Sequence, residues 1–158
     1  MLKDLALQLY SVRDYTEKDF LGTLKTLAEQ GYTGVEFAGY GDIPAKEMRK
    51  ALDDLGLKAV GSHISLDRLW DNLEEELAYN AEVGNKYIIC PWADVTSTEK
   101  AKEIAEFLCK VNERCQKDGF VAGYHNHAHE FVMENGKYAL DVLRENTPDS
   151  FVFELDLY

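Results

Sequence analysis

The chain has 158 residues, 46% of them hydrophobic, and a formal net charge of −12. That is apolar material enough for one ordinary domain with a core, and too much for a disordered chain, while no apolar run approaches the ~20 residues of a membrane span. The acidic balance argues against nucleic acid or an anionic membrane as a partner, because their phosphates would be repelled overall.

The predicted elements alternate strictly. Leu5–Tyr10 is a short apolar first strand in which Gln8 and Tyr10 share a face. Thr16 with Asp19 three residues on reads as the start of a helix striped by Phe20, Leu24, Leu27 and Ala28, and Gly31 is placed to end it. Residues 33–37 form a second strand around Glu36. Asp42 and Pro44 mark the next helix, with Met48, Leu52 and Leu55 as its stripe and Gly56 as its stop. Residues 57–63 form a third strand ending in His63. One helix then carries Leu69, Trp70, Leu73, Leu77 and Ala81. Tyr87–Cys90 is a fourth strand closed by Pro91 and Trp92, and Thr96 with Glu99 reads as the cap of a long helix through Ile104, Leu108, Val111 and Cys115. A fifth strand, Phe120 onward, runs into Tyr124–His125–Asn126–His127–Ala128–His129–Glu130–Phe131. Asn135–Gly136 is a turn, a fifth helix follows, and residues 151–158 form a sixth strand.

Strand–helix alternation implies a parallel sheet with right-handed crossovers, and the spacing of about 25–35 residues matches the unit of a (β/α)8 barrel. A doubly wound sheet is the competing architecture, but the loop after the first strand, Ser11–Val12–Arg13–Asp14, lacks the glycines of a phosphate-binding turn. No linker composition appears, so residues 1–158 read as a single domain. Eight strands close such a barrel, and six strands with five helices are legible. The expectation is therefore an incomplete barrel, the N-terminal part of a longer one or a piece completed by another chain. Open sheet edges then predict a homo-oligomer or self-association. Three cysteines, Cys90, Cys109 and Cys115, without CxxC spacing, and a start without a signal-peptide pattern, predict a cytoplasmic protein with reduced thiols.

In a barrel of this kind the chemistry gathers at the C-terminal ends of the strands. The side chains there are Gln8, Tyr10, Glu36, His63, Trp92, His125, His127, Glu130, Asp156 and Tyr158. In the sixth strand Glu154, Asp156 and Tyr158 share one face, opposite Phe151, Phe153, Leu155 and Leu157. The apolar face should meet the helices, which turns Asp156 inward, where a buried carboxylate needs a cation or donors. The plainer reading is a strand-end carboxylate in water. Imidazole with carboxylate suits Mn²⁺, Co²⁺ or Zn²⁺, and carboxylate with water suits Mg²⁺. Glu36, a charge inside an apolar strand, is either paired or functional. His63 is a hydrogen-bonded core histidine or a substrate contact, and Trp92 is packing or the wall of a sugar pocket.

The stretches Leu7–Gln8–Leu9–Tyr10–Ser11–Val12–Arg13, Gly34–Val35–Glu36–Phe37, Tyr124–His125–Asn126–His127 with Glu130–Phe131, and Glu154–Leu155–Asp156–Leu157–Tyr158 resemble the sugar phosphate isomerase/epimerase family of xylose-isomerase-like TIM barrels. The resemblance covers the whole chain in order. It implies a divalent metal held by a carboxylate from the fifth strand, an aspartate from the sixth, and a histidine and a glutamate from the seventh and eighth. Here the first two match Glu130, with His125 and His127 beside it, and Asp156; the last two have no counterpart. Glu130 and His63 are the expected catalytic residues, and Gln8, Glu36, His63, Trp92, His125 and His127 the expected substrate contacts. The implied reaction is metal-dependent isomerisation or epimerisation of a sugar or sugar phosphate through an enediolate. The alternatives are a keto-inositol or dehydroshikimate type of dehydratase on the same barrel, or a non-catalytic fragment needing a partner.

Overall fold

The computed structural model describes residues 4–157, so expectations placed on residues 1–3 and on Tyr158 lie outside the described residues. The elements run β1 (Ala6–Gln8), a 3₁₀ turn (Leu9–Val12), α1 (Arg13–Thr16), α2 (Phe20–Glu29), β2 (Gly34–Ala38), α3 (Ala45–Leu55), β3 (Lys58–His63), α4 (Leu66–Asp71), α5 (Leu73–Val83), β4 (Tyr87–Cys90), α6 (Thr98–Lys117), β5 (Val121–His125), a second 3₁₀ turn (His129–Phe131), the hairpin strands β6 (Met133–Glu134) and β7 (Lys137–Tyr138), α7 (Ala139–Glu145) and β8 (Val152–Glu154).

Seven α-helices stand among the described residues where five were expected. The first helix, expected to open at Thr16, starts instead at α2, where Asp19 accepts from Gly22 N (2.9 Å), and a short α1 ends at Thr16, whose hydroxyl donates to Arg13 O (3.1 Å). The helix expected through Leu69–Ala81 is broken at Asn72, whose φ of −132° leaves the helical region. The long helix α6 is capped by Ser97, which accepts from Lys100 N, rather than by Thr96, whose hydroxyl donates to Asp94 (2.6 Å). The sixth strand is short: β8 pairs with β5 only as far as His125 and Glu154, and a strand cannot outrun the ladder of its partner. Leu155 and Leu157, expected against helices, are 61% and 91% exposed.

The chain forms two compact units. In the first, residues up to His63 together with Glu74–Lys86, β1, β2 and β3 lie side by side in parallel. Val35 and Phe37 of β2 meet Leu24 and Leu27 of α2 and Met48 and Leu52 of α3 in a buried cluster. Burying one such side chain is worth about 1.5–3 kcal/mol, which is why the helical stripes read in the sequence fix the helices to the sheet. Behind β3, Ser62 Oγ donates to Asn80 Oδ1 (2.6 Å), Asn85 Nδ2 donates to the same oxygen (2.8 Å), and Asn80 Nδ2 donates to Tyr40 Oη (2.9 Å). Tyr40 Oη in turn donates to the buried Glu76 (2.9 Å).

In the second unit, Ile64–Leu73 with the chain from Tyr87 onward, β4, β5 and β8 lie side by side in parallel. Helix α6 packs its stripe of Ala101, Ala105, Leu108, Val111 and Cys115 against β5 and α7. The hairpin turns at Asn135 and Gly136, both with positive φ as a type I′ turn needs. Its Glu134 reaches α6, accepting from both the backbone N and the hydroxyl of Thr98 (2.9 Å each). Among the described residues no helix is long and apolar enough to cross a membrane.

Candidate active site

In the first unit, alternation along β2 sends Val35 and Phe37 to the core and Glu36 to the other face. Register sets Gln8 directly beside Glu36. Gln8 Nε2 donates to Glu36 Oε2 at 3.0 Å, and His63 Nε2 stands 3.5 Å from the same oxygen. The Gln8 amide is also 3.4–3.5 Å from the two ring nitrogens of His63. The Glu36 and His63 side chains are 14% and 7% exposed, so both work in a partly desolvated setting. Three of the expected contact residues, one from each strand, thus form a single polar cluster. Tyr10 lies outside it: its ring, 58% exposed, carries the Arg13 guanidinium 4.5 Å above the centroid.

In the second unit the strand-five histidines separate. His125 is the last residue of β5 and is buried, while His127 is exposed in the loop beyond. His125 Nδ1 lies 2.9 Å from Glu154 Oε1, its register partner on β8, and its Nε2 stands 4.0 Å from Asp156 Oδ2. A carboxylate on Nδ1 fixes the ring and gives Nε2 the lone pair of the neutral imidazole. Asp156 is placed by its backbone: its N donates to Asn126 Oδ1 (3.1 Å) and its carbonyl accepts from Asn126 Nδ2 (3.3 Å). Its side chain is 48% exposed, which corrects the expectation of a buried inward carboxylate; the strand ends two residues too soon to carry it inward.

Glu130 lies on the 3₁₀ turn and is wholly buried. Its Oε1 accepts from Tyr124 Oη (2.7 Å) and its Oε2 from His127 N (2.8 Å). His129 Nε2 donates to Ala93 O (2.9 Å), and its ring stands 5.5 Å from that of Trp92, which is 54% exposed. Donor atoms of His127, His129 and Glu130 all lie within 4.8 Å of one another, so this group too has the composition to hold a cation. Partial burial, with His125 beside it, lowers the His127 imidazolium below its ordinary 6.5. Burial pushes the Cys90 thiol up to about 12, so it is no nucleophile at neutral pH.

Glu154, Asn126 and Tyr124 were not singled out by the sequence. The shared parity of Glu154 and Asp156 was the signal for the first. For the other two the signal was only their position inside the histidine stretch.

A model of the family described as xylose isomerase-like TIM barrel matches residues 24–158. The chain belongs to the xylose isomerase-like TIM barrel family. Its parallel strands and intervening helices are an incomplete (β/α)8 TIM barrel. A sugar phosphate isomerase/epimerase from Parabacteroides distasonis ATCC 8503 is similar over 99% of this chain and 68% of its own, with 26% identity and a TM-score of 0.83. An AP endonuclease, family 2, from Brucella melitensis shares the fold over 99% of this chain and 69% of its own, at 16% identity and a TM-score of 0.75. A xylose isomerase-like TIM barrel protein from Mycobacterium smegmatis, in complex with magnesium, does so over 99% and 65%, at 12% identity and a TM-score of 0.68. The chain therefore spans about two thirds of the length of each of these three solved structures. None of the curated proteins matches it.

Proposed function

We propose that this xylose isomerase-like chain is all or part of a divalent-metal-dependent isomerase or epimerase acting on a sugar or sugar phosphate. The observation that carries the reading is the His125–Glu154 pair beside Asp156: an imidazole whose Nδ1 is held by a carboxylate, with Nε2 turned toward a second, half-exposed carboxylate. This donor set fits Mn²⁺, Co²⁺ or Zn²⁺ better than Mg²⁺. Asp156 and His125 would hold the ion, with Glu154 orienting the imidazole. Glu130, whose two oxygens already accept from Tyr124 and His127 N, supports the loop and remains a candidate ligand through its other lone pairs.

A bound divalent ion would polarise a substrate carbonyl and the hydroxyl beside it. The Gln8–Glu36–His63 cluster supplies what sugar recognition needs: an amide, a carboxylate and an imidazole in hydrogen-bonding contact. The Trp92 face beside His129 offers an apolar wall for the C–H face of a sugar. A histidine or carboxylate held against the substrate can take a proton from carbon and return it.

The similarity to an AP endonuclease raises DNA as a substrate, but a net charge of −12 opposes binding to a phosphate backbone. The test is conversion of ketoses and ketose phosphates, with and without Mn²⁺, by the wild type and by Asp156→Asn and His125→Gln. Metal-dependent conversion lost in both variants supports the reading. Metal-independent conversion, or full activity in both variants, refutes it.

A further inference from the structure

We propose that Gly61 is a positioning residue: the space left by its missing side chain sets the Glu36 carboxylate between Gln8 and His63. Gln8, Glu36 and Gly61 are successive partners across β1, β2 and β3. The pairing of β2 with β3 slips between Val35 and Glu36: Val35 faces Ala59, Glu36 faces Gly61, and Val60 is skipped. This bulge replaces a branched valine with a glycine at the position opposite Glu36.

A methyl group built on Gly61 overlaps Glu36 Oε1 and lies 3.3 Å from its Cδ and 3.4 Å from its Cγ. Those three atoms are its nearest neighbours and all belong to one flexible side chain. A substitution at Gly61 therefore meets the Glu36 carboxylate first and displaces it. Glu36 Oε2 is the atom that accepts from Gln8 and faces His63, so displacing it breaks the Glu36 contacts to both. His63 sits two residues beyond Gly61 on the same strand, so the bulge also sets which face of β3 the imidazole occupies. The inference rests on reading Gln8, Glu36 and His63 as the substrate-facing set, but its geometry and its test do not require activity.

The test is the imidazole ¹H–¹⁵N spectrum of the whole chain, which has four histidines, each assigned by a single replacement. Gly61→Ala should move the His63 signals and leave those of His127 and His129 in place. In a Glu36→Ala background the same Gly61→Ala change should leave His63 where Glu36→Ala alone put it. Glu36→Asp, one methylene shorter, should return the Gly61→Ala protein toward the wild-type melting temperature. If Gly61→Ala alone fails to fold, the proposal requires that Gly61→Ala with Glu36→Ala folds. A His63 signal unmoved by Gly61→Ala, an equal movement without Glu36, or a double variant that still fails to fold each overturns it. Failure of the sugar-conversion assay would leave these outcomes unchanged, so the two claims fail separately.

Discussion

Tyr124 Oη donates to Glu130 Oε1 at 2.7 Å where neither side chain is exposed to solvent. A buried carboxylate must have its partners, and this one has a phenol and the His127 amide. Tyr124→Phe removes one donor and leaves the carboxylate oxygen in place. The expected loss is about 1–3 kcal/mol of unfolding free energy, read from urea denaturation at neutral pH. A change within about 0.5 kcal/mol, the range of ordinary surface substitutions, would mean that water replaces the phenol.

The same pair gives an alkaline prediction. Burial first, and the Glu130 carboxylate second, raise the Tyr124 pKa well above its ordinary 10.0. A folded pKa above the unfolded one means the neutral phenol stabilises the fold, fully so below pH 10. That stability is lost as pH rises past the unfolded value. Tyr40 is raised in the same direction, by burial and by Glu76. Melting temperature should therefore fall above about pH 10, and Tyr124→Phe should fall less steeply there than the wild type. Equal slopes would remove Tyr124 from the account.

On the acid side, hydrogen bonds from the Thr98 backbone and hydroxyl hold Glu134 below its ordinary 4.5. A depressed folded pKa gives stability present above the unfolded value and lost as pH falls through the folded one. The hairpin's hold on α6 should loosen below about pH 4, the range where free glutamate titrates. Protection of the amides of residues 133–138, taken relative to the intrinsic exchange rate at each pH, would show it, and Glu134→Gln should abolish the acid-side loss of that protection.

Asn126 holds the Asp156 backbone by two hydrogen bonds and itself touches no expected ligand atom. Asn126→Ala should leave the fold of β5 intact but free the segment around Asp156. Groups that orient metal ligands typically matter by about 10–100-fold in affinity. Titration calorimetry with Mn²⁺ should show a loss in that range for Asn126→Ala, and a larger one for Asp156→Asn. Equal affinity in Asn126→Ala and wild type would place the ion elsewhere, the His127–His129–Glu130 group being the next site to test.

The strand–helix alternation was legible because period-2 and period-3.6 apolar patterns report burial directly. The Phe20–Leu24–Leu27 stripe and Tyr87–Cys90 fall where they were read. Caps were less legible, since Thr16 and Asp19, or Thr96 and Ser97, have equal capping chemistry and only backbone geometry decides between them. Asp156 was misplaced because parity counts along a strand but cannot say where the partner strand ends. Gln8, Glu36 and His63 were each read as strand-end groups. Their meeting depends on a bulge at Val60, and a one-residue slip in register carries no sequence signal of its own.

The measurement that tests the account most directly is solvent exchange. The protein is incubated in D₂O with Mn²⁺ and a panel of ketoses and ketose phosphates, and carbon-bound deuterium is read by NMR. Proton transfer beside a carbonyl predicts deuterium at the carbon next to the carbonyl of one sugar. It should depend on added metal and be lost in Asp156→Asn. A protein that binds Mn²⁺ and leaves every sugar free of deuterium would contradict the isomerase or epimerase reading.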